Sequence, residues 1–123
     1  MKIIIDTHVF LWSLAEPHRL STGKREELER LANTIFVSSI TIAELMIKAS
    51  LGKMQIDFDP IAFVEQSGFQ HLDFSAADAV LLKDLPFHHR DPFDRMLIAQ
   101  SIAGKMTIMS DDRKFSLYDC ALI

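Results

Sequence analysis

The chain has 123 residues, which suits one domain over 1–123, large enough to bury a core without a disulfide or structural metal. A hydrophobic content of 49% excludes a disordered chain, and the single cysteine, Cys120, excludes an intramolecular disulfide. Lys and Arg number 13 against 17 Asp and Glu, a formal net charge of −4, whereas nucleic-acid binders are usually basic. Acids gathered around a bound cation would reconcile the two, because the ion then carries the local charge. The opening run Lys2 to Asp6 is too short for a secretory apolar core, and no run approaches the roughly 18 apolar residues of a membrane span. A cytoplasmic protein without membrane association is expected.

In chain order, Lys2 to Ile5 is a short apolar run closed by Asp6, the pattern of a buried strand. Ser21 to Ala32 is polar, with Leu28 and Leu31 at helical spacing. Thr34 to Val37 is rich in β-branched and aromatic residues and predicts a second strand. Thr41-Ile42-Ala43-Glu44 fits a capping box opening a helix that Gly52 would end. Pro60 to Gln66 predicts a short helix, Gln70 to Leu72 a third strand, and Ser75 to Asp84 a helix with a stripe at Ala76, Ala79, Val80 and Leu82. Asp91-Pro92 starts a helix, Asp as N-cap and Pro at the first helical position, running to Ala103 with Gly104 as its stop. Met106 to Met109 and Ala121 to Ile123 are the last strand candidates.

Strands alternating with helices in so short a chain imply βαβ units and a parallel sheet covered on both faces. In such sheets sites form beyond the carboxyl ends of the strands. Asp6 follows the first strand, Asp111 and Asp112 follow a late one, and Glu44 and Asp94 fall in the first turns of helices. Four acids distant in sequence are thereby expected at one rim. Converging carboxylates repel unless a hard dication joins them, and all-oxygen ligation suits Mg2+ or Mn2+. Such an ion can activate water and offset charge on a phosphoryl oxygen.

Each residue also has a structural reading. Glu44 could bond only backbone in its capping box, and Asp94 could only favour a helix dipole. Ser110-Asp111-Asp112 is good turn composition. Thr7 and Ser110 could orient a water or cap backbone, and capping is slightly preferred. His88 and His89 read as solvated loop residues, and Lys48 and Lys53 as a solvated face. Trp12 and the phenylalanines read as core. Asp6 is harder to assign to structure alone, since a carboxylate directly after three isoleucines needs a partner.

At these residues the sequence resembles a known family. Ile-Ile-Ile-Asp6-Thr7-His8 is similar to the opening of VapC-like PIN domains, and Val37 to Leu45 with Lys48 and Lys53 to their second acidic motif. His89-Arg-Asp-Pro-Phe-Asp94-Arg-Met-Leu-Ile-Ala-Gln100 resembles the third, the most specific of the four. Thr107 to Phe115, with Ser110, Asp112 and Phe115 at the motif spacing, resembles the closing one. The motifs run in order from about residue 2 to the C-terminus. The resemblance implies a three-layer α/β/α sandwich with a central parallel sheet. It implies an endoribonuclease dependent on Mg2+ or Mn2+, the toxin of a toxin–antitoxin pair, acting on an RNA substrate. A cognate antitoxin whose C-terminal segment fills the acidic cleft, and a homodimer, are implied with it. Carried over, the metal ligands and catalytic acids are Asp6, Glu44, Asp94 and Asp112. Asp111 competes with Asp112 for the fourth place, and Asp91 is assigned to the helix cap. Arg95 is a candidate to offset developing charge, and Arg90 and Lys48 are candidates for phosphate contacts.

Three other readings share parts of this pattern. A haloacid-dehalogenase-like phosphatase wants Asp-x-Asp after the first strand, where this chain has Asp6-Thr7-His8. A receiver domain wants paired acids there and a phosphoacceptor Asp after its third strand. A catalytically silent PIN-like module binding RNA or protein is separated from an enzyme by chelator-sensitive turnover.

Overall fold

The computed structural model describes residues Met1–Ile123. Five strands, β1 (Lys2–Ile5), β2 (Thr34–Ser38), β3 (Gln70–Leu72), β4 (Thr107–Met109) and β5 (Ala121–Leu122), form one sheet in the order β3-β2-β1-β4-β5. All four pairings are parallel. Parallel neighbours need crossover connections, and six helices occur among them. These are α1 (Thr7–Ala15), α2 (Thr22–Glu29), α3 (Ser39–Ser50), α4 (Pro60–Gln66), α5 (Ala76–Val80) and α6 (Pro92–Gly104).

The register divides the strand side chains between two cores. Ile3 pairs with Ile35 and Ile5 with Met109, so these residues share one face. They join Val37, Val9 and Phe10 of α1, Leu45 of α3 and Val64 of α4 in the larger cluster. Ile4 pairs with Ile108 and points the other way. There Ile108 packs with Ile98 of α6, Leu85, Phe115 and Tyr118. Both faces of β1 are therefore covered, which is why its three isoleucines carry no polar alternation. This is the three-layer α/β/α sandwich expected from the sequence.

Two helix ends depart from the sequence reading. The third helix starts at Ser39, and its N-cap is Ser38, whose hydroxyl accepts from the Ile40 N–H at 3.0 Å. Thr41 is thus inside the first turn and Glu44 in the second, which removes the capping-box reading of Glu44. Gly52 does close this helix with φ +71. Helix α6 includes Gly104, and the left-handed closing residue is Lys105, φ 52 and ψ 49. Gly104 serves instead as a close-approach point, because a Cβ there would lie 2.7 Å from the Met106 Cε.

The helix predicted over Ser75–Asp84 is α5 followed by one 3-10 turn, Leu81–Asp84. Of its proposed stripe only Leu82, in the 3-10 turn, packs against the core: Ala76 and Ala79 are exposed and Val80 is 71% exposed. Leu31, read at helical spacing, lies beyond the end of α2 and is fully exposed.

Candidate active site

The parallel strands end at one edge, and the backbone continues their alignment past the strands. The Asp6 N–H donates to the Met109 carbonyl at 3.2 Å and the Ser110 N–H to the Ile123 carbonyl at 3.1 Å. Asp6 and Ser110 are thereby set side by side, both buried. One Asp6 oxygen caps α1 by accepting the Val9 N–H at 2.8 Å. The other accepts the Ser110 hydroxyl. A helix N-terminus favours an anion there, yet burial dominates and raises the Asp6 carboxyl above its ordinary range, against the Ser110 and Val9 hydrogen bonds.

Glu44 enters from α3, 4% exposed. Its Oε1 accepts the Thr7 hydroxyl at 2.7 Å, and its Oε2 accepts the Lys48 ammonium at 2.6 Å. Lys48 is therefore not a bystander on a solvated face, as its spacing suggested. The i,i+4 geometry that places it there is ordinary helix geometry. The Ser38 hydroxyl donates to Gln100 Oε1, tying the start of α3 to the middle of α6.

Asp94 lies in the first turn of α6, behind its cap. Asp91 accepts the Phe93 and Asp94 N–H groups at 2.8 and 3.1 Å, as the sequence predicted. The Asp94 carboxyl is pushed up to about 7, first by burial, then by the charge of Asp91, and further by Asp6 and Glu44; His89 opposes this. That shift registers three carboxylates acting on a fourth.

Asp112, not Asp111, joins the group. Asp111 pairs with Lys24, which also donates to the Ser110 carbonyl at 3.1 Å. The Asp112 N–H donates to the Ser110 hydroxyl at 2.9 Å, and Asp112 Oδ2 lies 2.9 Å from His89 Nε2. Partial burial raises the Asp112 carboxyl, but hydrogen bonds from the Lys114 N–H and His89 outweigh it and hold it below the usual range.

The residue that sequence reasoning misplaced is His89. It is buried, 7% exposed, and its Nε2 lies 2.9 Å from Asp94 Oδ2 as well as from Asp112. One donor atom from each of His89, Asp94 and Asp112 lies within 4.8 Å of the others, a spacing a cation could bridge. The signal was its place two residues before the Asp91-Pro92 helix start, which fixes the chain's direction into the site.

Arg95 also departs from expectation. It is buried, and it donates to the Leu85 carbonyl at 3.0 Å and the Pro86 carbonyl at 2.7 Å, with Phe87 stacked 4.0 Å from its guanidinium carbon. Its charge is spent on pinning the loop before α6, so it is not free to meet a substrate. Arg90 is exposed. Thr7 donates to the Glu44 carboxylate, and Ser110 does both, donating to Asp6 while accepting the local Asp112 N–H.

The four predicted acids thus lie along one rim. Asp94 Oδ2 lies beside His89 Nε2, which is hydrogen-bonded to Asp112; the Asp112 N–H and the Asp6 carboxylate meet at the Ser110 hydroxyl; and Thr7, next in sequence to Asp6, donates to Glu44. Fold and site together define a parallel α/β sandwich bearing an acidic centre at the carboxyl edge of its sheet. The model of the PIN domain family matches residues 3–119, and the chain belongs to that family.

Ribonuclease VapC22 of Mycobacterium tuberculosis is 26% identical over 119 residues, 91% of this chain and 88% of that protein. The crystal structure of VapBC2 from Rickettsia felis bound to a DNA fragment from its promoter is similar with a TM-score of 0.76 at 21% identity. The match covers 100% of this chain and 98% of that one. DNA-bound VapBC from Salmonella typhimurium gives 0.73 at 16% identity, covering 100% and 97%. At these identities the structural likeness bears on the fold, which agrees with the resemblance read from the four motifs.

Proposed function

We propose that this PIN domain is a cytoplasmic toxin ribonuclease, hydrolysing RNA phosphodiester bonds with Mg2+ or Mn2+ held by Asp6, Glu44, Asp94 and Asp112. The observation that carries the reading is the convergence of acids at the carboxyl edge of the sheet: donor atoms of Asp94, Asp112 and His89 lie within 4.8 Å of one another, with Asp6 joined to Asp112 through Ser110 and Glu44 to Thr7. The centre is short of positive charge, and a dication is the partner that four oxygen donors fit. Lys48 is bonded to Glu44 and also feels Asp91 and Asp94, while Lys24 engages Asp111 outside the group.

Asp6 and Asp94 are the direct ligands in this reading, with Asp112 completing the site. Glu44 has a protein donor on each oxygen, which favours an outer position reached through water. When bound, the ion supplies water activation and stabilises charge on the phosphoryl oxygens. Ser110 and Thr7 fix the Asp6 and Glu44 carboxylates by hydrogen bonds. Arg90, exposed beside His89, and Lys48 are the phosphate contacts in this scheme.

The similar solved structures carry VapBC assemblies, which supports a cognate antitoxin as partner. Its C-terminal segment would cover the acidic edge. Homodimer formation goes with the same reading. Expression in a host lacking the antitoxin tests the toxin assignment. Wild-type chain should arrest growth, and Asp6→Asn at equal soluble level should not. Unimpaired growth with folded wild-type protein present would remove it.

A further inference from the structure

His89 sits where two of the proposed ligands meet, and its ring has a partner at each nitrogen. The Asp91 backbone N–H donates to Nδ1 at 3.2 Å. An N–H can be accepted only by an unprotonated ring nitrogen, so Nδ1 holds a lone pair and the neutral ring carries its hydrogen on Nε2. Nε2 is then the donor to Asp112 Oδ2 at 2.9 Å, with Asp94 Oδ2 an equal distance away as a charge contact. A nitrogen carrying hydrogen has no lone pair for a metal. The spacing of the His89, Asp94 and Asp112 donor atoms would otherwise suggest an imidazole ligand.

The rest of the residue is fixed with equal care. The His89 N–H donates to the Tyr118 hydroxyl at 2.7 Å, and the His89 carbonyl accepts from Arg95 Nη1 at 3.3 Å. The ring packs edge-on against Phe115, centroids 5.8 Å apart. Asp112 needs such an anchor. It lies on the segment after β4, its side chain 39% exposed, with the Lys114 N–H as its other donor. Asp94, by contrast, is set by helix α6.

We infer that His89 is a positioning residue: its Nε2–H holds the Asp112 carboxylate beside Asp94, and the ring is not itself a metal ligand. This role rests on the carboxylate cation site proposed above. Removing an outer partner of a ligand typically lowers metal affinity by roughly ten- to hundredfold.

Two readouts test it, neither using RNA. In metal-free protein, long-range 15N–1H correlation of the His89 ring should show hydrogen on Nε2 and none on Nδ1. The opposite tautomer would overturn the inference. Mn2+ affinity by calorimetry then compares wild type, His89→Ala and His89→Gln, with circular dichroism confirming each fold. The Gln amide nitrogen can stand near the Nε2 position as a donor. His89→Ala should lose roughly tenfold or more, while His89→Gln should recover most of it. Equal loss in both variants, or imidazole nitrogen coupling in the pulsed EPR spectrum of the Mn2+ complex, would make His89 a ligand. If His89→Ala fails to fold, the Gln variant and the nitrogen coupling decide alone. Absence of ribonuclease activity with these results intact would overturn the nuclease reading and leave the His89 geometry standing.

Discussion

Asp94→Asn exposes the electrostatic state of the centre directly. The change keeps the shape of the side chain, leaves the Asp91 cap in place, and keeps an oxygen beside His89. In the folded chain the Asp94 carboxyl holds its proton up to about pH 7, and unfolded it releases it near 3.8. The folded state therefore binds more protons between these values, and metal-free stability falls as pH rises through that window. At 1.36 kcal/mol per unit the shift corresponds to at most about 4 kcal/mol. The side chain is 22% exposed, so water screening reduces this to roughly 1–3 kcal/mol. In excess EDTA at pH 8, Asp94→Asn should be more stable than wild type by that amount, with Tm higher by roughly 4 °C per kcal/mol for this chain length. The gap should narrow as pH falls through the window and close only below about pH 3.8, where Asp94 is protonated in the folded and the unfolded chain alike. Adding Mn2+ at pH 8 should reverse the order, raising the wild-type Tm and leaving the variant's nearly unchanged. Scanning calorimetry or circular dichroism reads all three conditions. A variant no more stable than wild type at pH 8 in EDTA, or equally stabilised by Mn2+, refutes the reasoning.

Other consequences concern the scaffold. Arg95→Ala leaves the Leu85 and Pro86 carbonyls without their donor and should cost about 2–3 kcal/mol in urea denaturation. Tyr118→Phe removes the acceptor of the His89 N–H and the donor to the Pro86 carbonyl, for about 1–2 kcal/mol by the same measurement. Phe10→Ala empties the fully buried centre of the larger core and should cost about 3–5 kcal/mol. Lys105→Gly relieves a left-handed backbone residue and should stabilise by up to about 1 kcal/mol.

The strands and the main helix starts were legible because their signals are local. Three isoleucines before Asp6, the β-branched Thr34–Val37 run and the Asp91-Pro92 pair each specify their element from within. The rim position of the four acids followed from topology alone, since parallel strands all end at one edge. Helix α1 carried no such signal: six of the nine residues in Thr7–Ala15 are apolar, and Thr7, His8 and Ser13 do not recur at helical spacing. The misplaced start of α3 reflects two competing caps, Ser38 and Thr41. Ser38 prevails because β2 runs straight into the helix, and Thr41 is buried beside Thr7, hydroxyls 3.5 Å apart. The partners of His89, Lys24 and Arg95 are tertiary or set by loop geometry. A histidine in a polar run reads as solvated until Asp112, 23 residues away, is brought to it. Sequence separation also hid the choice between Asp111 and Asp112, which Lys24 on α2, 87 residues away, decides by taking Asp111.

Cleavage of total cellular RNA by purified, antitoxin-free protein in Mg2+, in Mn2+ and in excess EDTA, with Asp6→Asn prepared in parallel, tests the central claim most directly. Metal-dependent cutting by the wild type, abolished by EDTA and absent from folded Asp6→Asn, is the predicted result. Cutting that persists in EDTA or in the variant, or no cutting by folded wild-type protein with either ion, would contradict it.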